Sequence, residues 1–335
     1  MPGEPQKHLK LLMIADFLRE QSDEKHPVSA PQICAFLAQK GISAERKSVY
    51  SDLALLRDYG MDILKTKTPR PGYFLASREF ELPEVYLLRD AVLSAGFISV
   101  KKTRELTRKL EHLLSVHEAK RLRKDLYIDY SHKCRNEQIF YIIDALSEAI
   151  EKQKKVTLTY CMRCILPDRK IGIRKREHTV SPYALIWQAD HYYLVANNAK
   201  YNNLMHLRLD RIKNVQITND DRRPVSEVSD YSDRFDVADY VSKTFQMYTG
   251  TPAEITLKCD RKILEQVVDR FSEEIFIEEL SETDFRFSAK AYLSEGLCSW
   301  ILQYGKQITV EKPKELVELV LRRVKEIESL YSPGV

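Results

Sequence analysis

Between positions 181 and 211, side chains that hold phosphate and side chains that stack on bases fall close together: Ser181, Tyr183, Tyr193, His206, Arg208 and Arg211. Aromatic faces stack on a base and an arginine fork grips phosphate through two parallel hydrogen bonds, so the set suits a nucleotide or a short nucleic acid. The plainer alternative makes Tyr193 a core residue and Arg211 the partner of adjacent Asp210. A second group, Arg46, Lys47, Ser48, Tyr50 and Ser51, opens a segment whose apolar stripe is Val49, Leu53 and Leu56. Arginine and lysine bond guanine edges, and serine and tyrosine more often hold phosphates, which is what the start of a recognition helix offers duplex DNA. A third group, Lys65, Lys67 and Arg70, surrounds a Pro- and Gly-rich tip between two apolar runs. It is placed to touch phosphates or to reach the minor groove.

Catalytic motifs are missing. The sequence contains no G-x-x-x-x-G-K-[ST], G-x-G-x-x-G, G-x-S-x-G or H-E-x-x-H, and its 10 glycines leave little material for phosphate-cradling loops. The eight histidines show no metal spacing; His112 and His117 are five apart on one predicted helix and do not share a face well. Cys161 and Cys164 have the C-x-x-C spacing of half a zinc site or a redox pair, but no second pair follows at zinc spacing. The expectation is a protein that is not an enzyme and holds neither cofactor nor metal. Net charge is only +4, yet Lys152, Lys154, Lys155, Arg163, Arg169, Lys170, Arg174, Lys175 and Arg176 oppose few acids, whereas positions 273–282 are acidic. That basic run is either a solvated loop or a surface facing a polyanion.

These groups need elements to position them. Apolar residues Leu9, Leu12, Met13 and Phe17 have the spacing of an amphipathic helix. Ser29 with Gln32 makes a capping box ahead of Ile33, Phe36 and Leu37, and that second helix ends near Gly41. Ser43 can cap the third, which Gly60 ends; two strands within 61–75 then read as a wing. Residues 84–153 are helical, with Leu106, Leu110, Leu113, Leu114 and Ile139, Ile142, Ile143, Leu146 as apolar sets that suit a dimerisation layer. Five short strands, at 156–160, 177–187, 191–196, 204–209 and 215–218, suggest a small barrel. After a polar linker, strand, helix, strand, strand, helix, strand and a last helix give the ferredoxin-like order. The expected fold class is therefore α+β multidomain: a winged helix-turn-helix (1–78), a helical connector (79–153), a small Sm/SH3-like β-barrel (154–220), a linker (221–250) and a C-terminal ferredoxin-like domain (251–332).

With 44% hydrophobic and 30% charged residues, no apolar run near the length of a membrane span and no apolar stretch behind the first residues, the chain reads as soluble and cytoplasmic, with no membrane partner.

Ser48-Val-Tyr-Ser-Asp-Leu53 resembles the recognition helix of the DeoR-like winged helix family, with Ser51 where an arginine is usual. Residues 180–196 and 206–215 resemble the WYL domain: Pro182-Tyr183 near the start of one strand, Tyr192-Tyr193-Leu194 as its aromatic triplet, and Arg208-Leu-Asp-Arg-Ile212 after it. Trp300-Ile-Leu-Gln-Tyr-Gly305 resembles the C-terminal extension, WCX, that commonly follows WYL domains. The resemblance implies a bacterial transcription regulator, a homodimer on a double-stranded DNA operator, whose WYL domain senses a nucleotide or oligonucleotide effector. An accessory nucleic-acid-binding protein whose WYL module modulates a partner enzyme is the alternative.

Overall fold

The computed structural model describes residues 4–124, 133–188, 190–232 and 234–332. The chain divides into two compact units, Met1–Glu137 and Gln138–Val335, both mixing helices with antiparallel strands.

In the first unit, α1 (Glu4–Gln21), α2 (Ala30–Gln39) and α3 (Arg46–Asp58) precede a two-stranded antiparallel sheet of β1 (Ile63–Thr66) and β2 (Gly72–Leu75). Their common core is Ile14, Leu18, Ile33, Leu37, Val49, Leu53, Leu56, Ile63 and Leu75. The stripe of α3 is the one its periodicity predicts. That of α1 is not: Leu9 and Leu12 are 47% and 64% exposed, while Ile14, Ala15 and Leu18 are buried. α1 is apolar on more than one side, so two sets at helical spacing compete, and packing on α2 and α3 selects one. The capping box of α2 is formed, with Ser29 N–H donating to Gln32 Oε1 at 2.8 Å. Gly41 follows α2 with φ of +80°, a left-handed position that lets the chain turn sharply into α3. The N-cap of α3 is Glu45 instead of Ser43.

Three further helices complete this unit: α4 (Leu82–Ser94), α5 (Val100–Glu111) and α6 (Val116–Lys124). Val85, Leu114 and Leu122 are buried among them, with Leu110 and Leu113 packed alongside.

The second unit begins with α7 (Ile139–Glu151), whose Ile139, Ile142, Leu146 and Ala149 are buried. They pack on a five-stranded antiparallel sheet of β3 (Lys154–Ile165), β4 (Ile171–Gln188), β5 (His191–Asn198), β6 (Met205–Arg208) and β7 (Ile212–Asp221) in the order β6-β5-β4-β3-β7. The outermost strands, β6 and β7, are consecutive in sequence and joined by a single 3-10 turn, Leu209–Arg211. A flat sheet would hold its edges about 19 Å apart at ~4.8 Å per strand, whereas the four steps from Arg208 to Ile212 reach at most about 14 Å. The sheet must roll until its edges approach, and Arg208 N–H of β6 accordingly donates to Tyr160 Oη of β3 at 3.4 Å.

The stretch expected as a polar linker is not a solvated tether. It contains α8 (Val237–Lys243), and Val225, Val228, Tyr240, Phe245 and Met247 are buried. Beyond it, β8 (Thr251–Asp260), α9 (Leu264–Phe271), β9 (Ile277–Glu279), β10 (Asp284–Leu293), α10 (Glu295–Gln303), β11 (Ile308–Lys312) and α11 (Lys314–Tyr331) build a four-stranded sheet in the order β11-β8-β10-β9. Ile255, Leu257, Val267, Phe285, Phe287, Leu297, Ile301 and Leu316 form its core.

Candidate nucleic-acid interface and sensor face

α3 buries Val49, Leu53 and Leu56 and exposes Arg46, Lys47, Tyr50 and Ser51. Arg46 and Lys47 have no hydrogen bond or ion pair among the described residues, so both are available to a ligand. Ser48 departs from its expected role. Its hydroxyl accepts from Lys10 Nζ, which also pairs with Asp52 at 2.7 Å, and this triad ties α1 to α3. Tyr50, 47% exposed, leans on Tyr73 of β2 with ring centroids 6.2 Å apart, and Arg57 Nε donates to the Ile63 carbonyl at 2.6 Å. Helix and hairpin are thereby braced against each other. Lys65 and Lys67 stand exposed on the hairpin, while Arg70 is held back by a 3.0 Å bond from its Nε to the Pro27 carbonyl.

The six expected effector residues separate into two groups with different work. Ser181 and Tyr183 are buried and clamp the chain after β7: Ser181 Oγ accepts from Arg223 N–H at 3.0 Å, and Tyr183 Oη donates to the Arg223 carbonyl at 2.8 Å. The register of β4 on β5 shifts between Pro182 and Ala184, which leaves Tyr183 as the bulged residue with the Arg222 guanidinium 5.4 Å from its ring centroid. Burial raises the Tyr183 phenol to about 12. His206 is also framework. Its Nδ1 meets the Met247 carbonyl and its Nε2 lies 2.8 Å from Tyr240 Oη, and burial pushes its pKa down to about 4.

The other group is half-buried, with Tyr193 packed against the buried cluster that includes Tyr183, Ile186 and Val195. Tyr193 and Arg208 are direct partners across β5 and β6 and share a face, and His191, two residues before Tyr193, lies 6.2 Å from its ring. Arg208 forks onto Asp210 through Nε–Oδ1 at 3.1 Å and Nη2–Oδ2 at 2.8 Å. The adjacency of Asp210 and Arg211 in sequence therefore misleads, since the 3-10 turn aims the carboxylate back along the strand at Arg208. Arg211 has no hydrogen-bond or ion-pair partner among the described residues. Burial, then the Arg208 charge, lowers the His191 pKa, and its Nδ1 is buried without a hydrogen-bond partner among the described residues.

His191, Arg222 and Arg223 carry no signal in the sequence beyond their residue types: the bulge at Tyr183 and the pairing of β5 with β6 bring them in. Cys161 and Cys164 lie three positions apart on β3 and so point to opposite faces. Among the described residues no helix is long and apolar enough to cross a membrane.

The WYL domain family model matches residues 141–217, and the WCX domain model matches residues 251–327. No curated protein matches the chain in sequence. Among solved structures, proteasome accessory factor B/C (PafBC) of Arthrobacter aurescens is similar with 15% identity and a TM-score of 0.27, over 95% of this chain and 47% of that one. The chain thus spans about half the length of that structure. The first match includes the rolled sheet with Tyr193 and Arg208, and the second most of the four-stranded unit that follows: the chain carries a WYL domain followed by a WCX domain.

Proposed function

We propose that this chain is a homodimeric, DNA-binding transcription regulator: residues 1–78 act as a winged helix-turn-helix on duplex DNA, and the WYL domain, as a small barrel, senses a nucleotide or short nucleic acid. The observation that carries the DNA reading is the pair of unpartnered cations, Arg46 and Lys47, at the exposed start of α3, beside a hairpin bearing Lys65 and Lys67. Three helices and a basic hairpin in this order suit a recognition helix in the major groove with a wing on the flanking backbone. The C-terminal unit, with its 4-1-3-2 strand order, is read as ferredoxin-like. For dimerisation the connector offers less than its sequence suggests, because α7 spends its isoleucines on the sheet. An exposed apolar stripe lies instead on α11, at Leu321, Val324, Ile327, Leu330 and Tyr331.

Wing contacts of this kind position the protein without reading sequence. Lys65→Ala with Lys67→Ala is expected to weaken binding to all duplexes alike and to reduce the slope of log K against log salt by about 0.9 for each phosphate no longer neutralised. Binding titrations at several salt concentrations check this, and an unchanged slope removes the hairpin from the interface.

In the sensor, Asp210 occupies the fork of Arg208, so an effector phosphate acts by displacing a carboxylate of like charge. Arg211 and the stacking face of Tyr193 stand beside it. Arg208→Ala is expected to abolish the effector's influence on DNA binding and leave the unliganded affinity intact, because an effector shifts the equilibrium only through its differential contacts. The ion pair is only part-exposed, with side chains 24% and 17% accessible, so its loss should cost more than the about 1 kcal/mol of an exposed pair and less than the about 3 to 5 kcal/mol of a fully buried one. Gel shifts with nucleotides and short single strands, beside thermal melts, test the assignment. A fall in melting temperature with a proportional fall in basal DNA binding would show Arg208 to be framework.

A further inference from the structure

β3 and β4 run on beyond the sheet. The last pairing of β3 with β7 is Tyr160 with Ile212, and β4 meets β5 only from Val180 onward, so residues 161–165 and 171–179 extend where neither neighbouring strand follows. The ribbon is closed by Leu166-Pro-Asp-Arg-Lys170, in which the Leu166 carbonyl accepts from Arg169 N–H at 2.9 Å. Arg169 there adopts φ of +62°, a left-handed position that glycine would fill at least cost.

Paired residues of a ribbon share a face. Ile165 with Ile171, Arg163 with Ile173 and Cys161 with Lys175 line one side, and Ile165, Ile171 and Ile173 are 81%, 77% and 64% exposed. Arg174 and Arg176 stand on the other side, opposite Met162 and Tyr160. From Arg163 to Arg176 six cations meet one acid, Asp168, which holds Lys170 at 3.2 Å. The remaining five have no hydrogen-bond or ion-pair partner among the described residues. Several other arginines of the same unit are engaged, Arg223 with Glu227 and Arg286 with Glu278 and Glu311.

Charged residues on an exposed ribbon discourage edge-to-edge pairing, but that need does not account for three exposed isoleucines. A second copy of the ribbon would bring like charges together. A duplex nucleic acid answers both features: a two-stranded ribbon fits a major groove about 12 Å wide, phosphates on both walls receive the cations, and thymine methyls receive apolar side chains.

We propose that the β3–β4 ribbon is a DNA-binding arm that lies in the major groove of a duplex, with Arg163 and Lys175 of the isoleucine face and Arg169 of the turn on the phosphates and the isoleucines on the base edges. It shares with the reading above only the duplex as ligand, since none of its residues belongs to α3 or the hairpin. The test uses the full chain and a random-sequence duplex, followed by fluorescence anisotropy across a salt series. Replacing these three cations by Gln should lower the salt slope by about 2 to 3, at about 0.9 per phosphate contact. Ile165→Ser, Ile171→Ser and Ile173→Ser together keep the charges and remove the methyl groups, and should leave that slope intact while weakening binding to A·T-rich duplexes more than to G·C-rich ones.

If the slope stays unchanged in the Gln variant while Arg46→Ala with Lys47→Ala still weakens binding, the arm is overturned and the recognition helix stands. A parent chain that binds no duplex at low salt overturns both. If the Gln variant keeps its slope but loses mass in light scattering, the ribbon is a contact between copies, and the proposal falls. Circular dichroism reports folding of each variant; should the triple change unfold the chain, Arg169→Gln and Lys175→Gln singly, each expected to lower the slope by about 0.9, carry the same test.

Discussion

Operator binding is expected to fall by about 30-fold to 20,000-fold when Arg46 and Lys47 are both replaced by Ala, with the melting temperature unchanged. The range follows from about 1 to 3 kcal/mol for each base-edge contact and tenfold for every 1.4 kcal/mol. Stability should be spared because both side chains are exposed and make no hydrogen bond or ion pair among the described residues, while the buried stripe of α3 is left intact. The neighbouring Ser48 makes an internal contrast. Its hydroxyl serves Lys10 and through it Asp52, so Ser48→Ala should lower the melting temperature, whereas a groove residue should not. Footprinting at fixed salt decides the matter: a double variant that protects the operator as tightly as the parent removes α3 from the groove.

Periodicity locates α3 because Val49, Leu53 and Leu56 form a single apolar stripe on an otherwise polar helix. It misplaces the stripe of α1, where Ile14 and Leu18 compete with Leu9 and Leu12 and tertiary packing decides. The strands of the rolled sheet are legible from their alternation, but their roll is not, since it follows from which edges a three-residue turn must join. The largest difference lies in residues 221–250. Asp, Ser and Arg dominate that stretch and mask the spaced aromatics, yet Tyr231, Phe235 and Tyr240 stack against one another and against Tyr292 of β10. Composition averaged over a window cannot show this, because the apolar partners come from distant strands. The candidate sensor set shows the same limit at single-residue scale. Residue type identifies Tyr193 and Arg208, whereas the fate of His206 depends on Tyr240 of α8, a helix hidden in a stretch whose composition is that of a linker.

That histidine leads to an expected pH dependence of stability. The Met247 carbonyl facing Nδ1 can only accept, so Nδ1 carries the proton of the neutral ring and Nε2 accepts from the Tyr240 hydroxyl. The neutral ring satisfies both nitrogens; on a second protonation Nε2 would donate to the Tyr240 oxygen, which can accept, so the penalty lies in burying the imidazolium charge. Burial accordingly lowers the pKa from 6.5 to about 4. With the folded value below the unfolded one, the unfolded chain binds more protons between these two limits, and stability falls as pH falls through that window. The contribution is fully present above about pH 6.5 and lost below about pH 4, and a shift of this size corresponds to about 3 kcal/mol. His206→Gln removes the titrating group. Other histidines whose pKa values are lowered, such as His178 and His191, remain in both proteins and cancel in the comparison. Urea unfolding should therefore find the parent more stable than the variant at pH 7.5, with the gap closing by about 3 kcal/mol as the pH approaches 4. Parallel stability curves for the two proteins over this range would mean that His206 does not titrate between its folded and unfolded states, and that its burial does not hold it neutral.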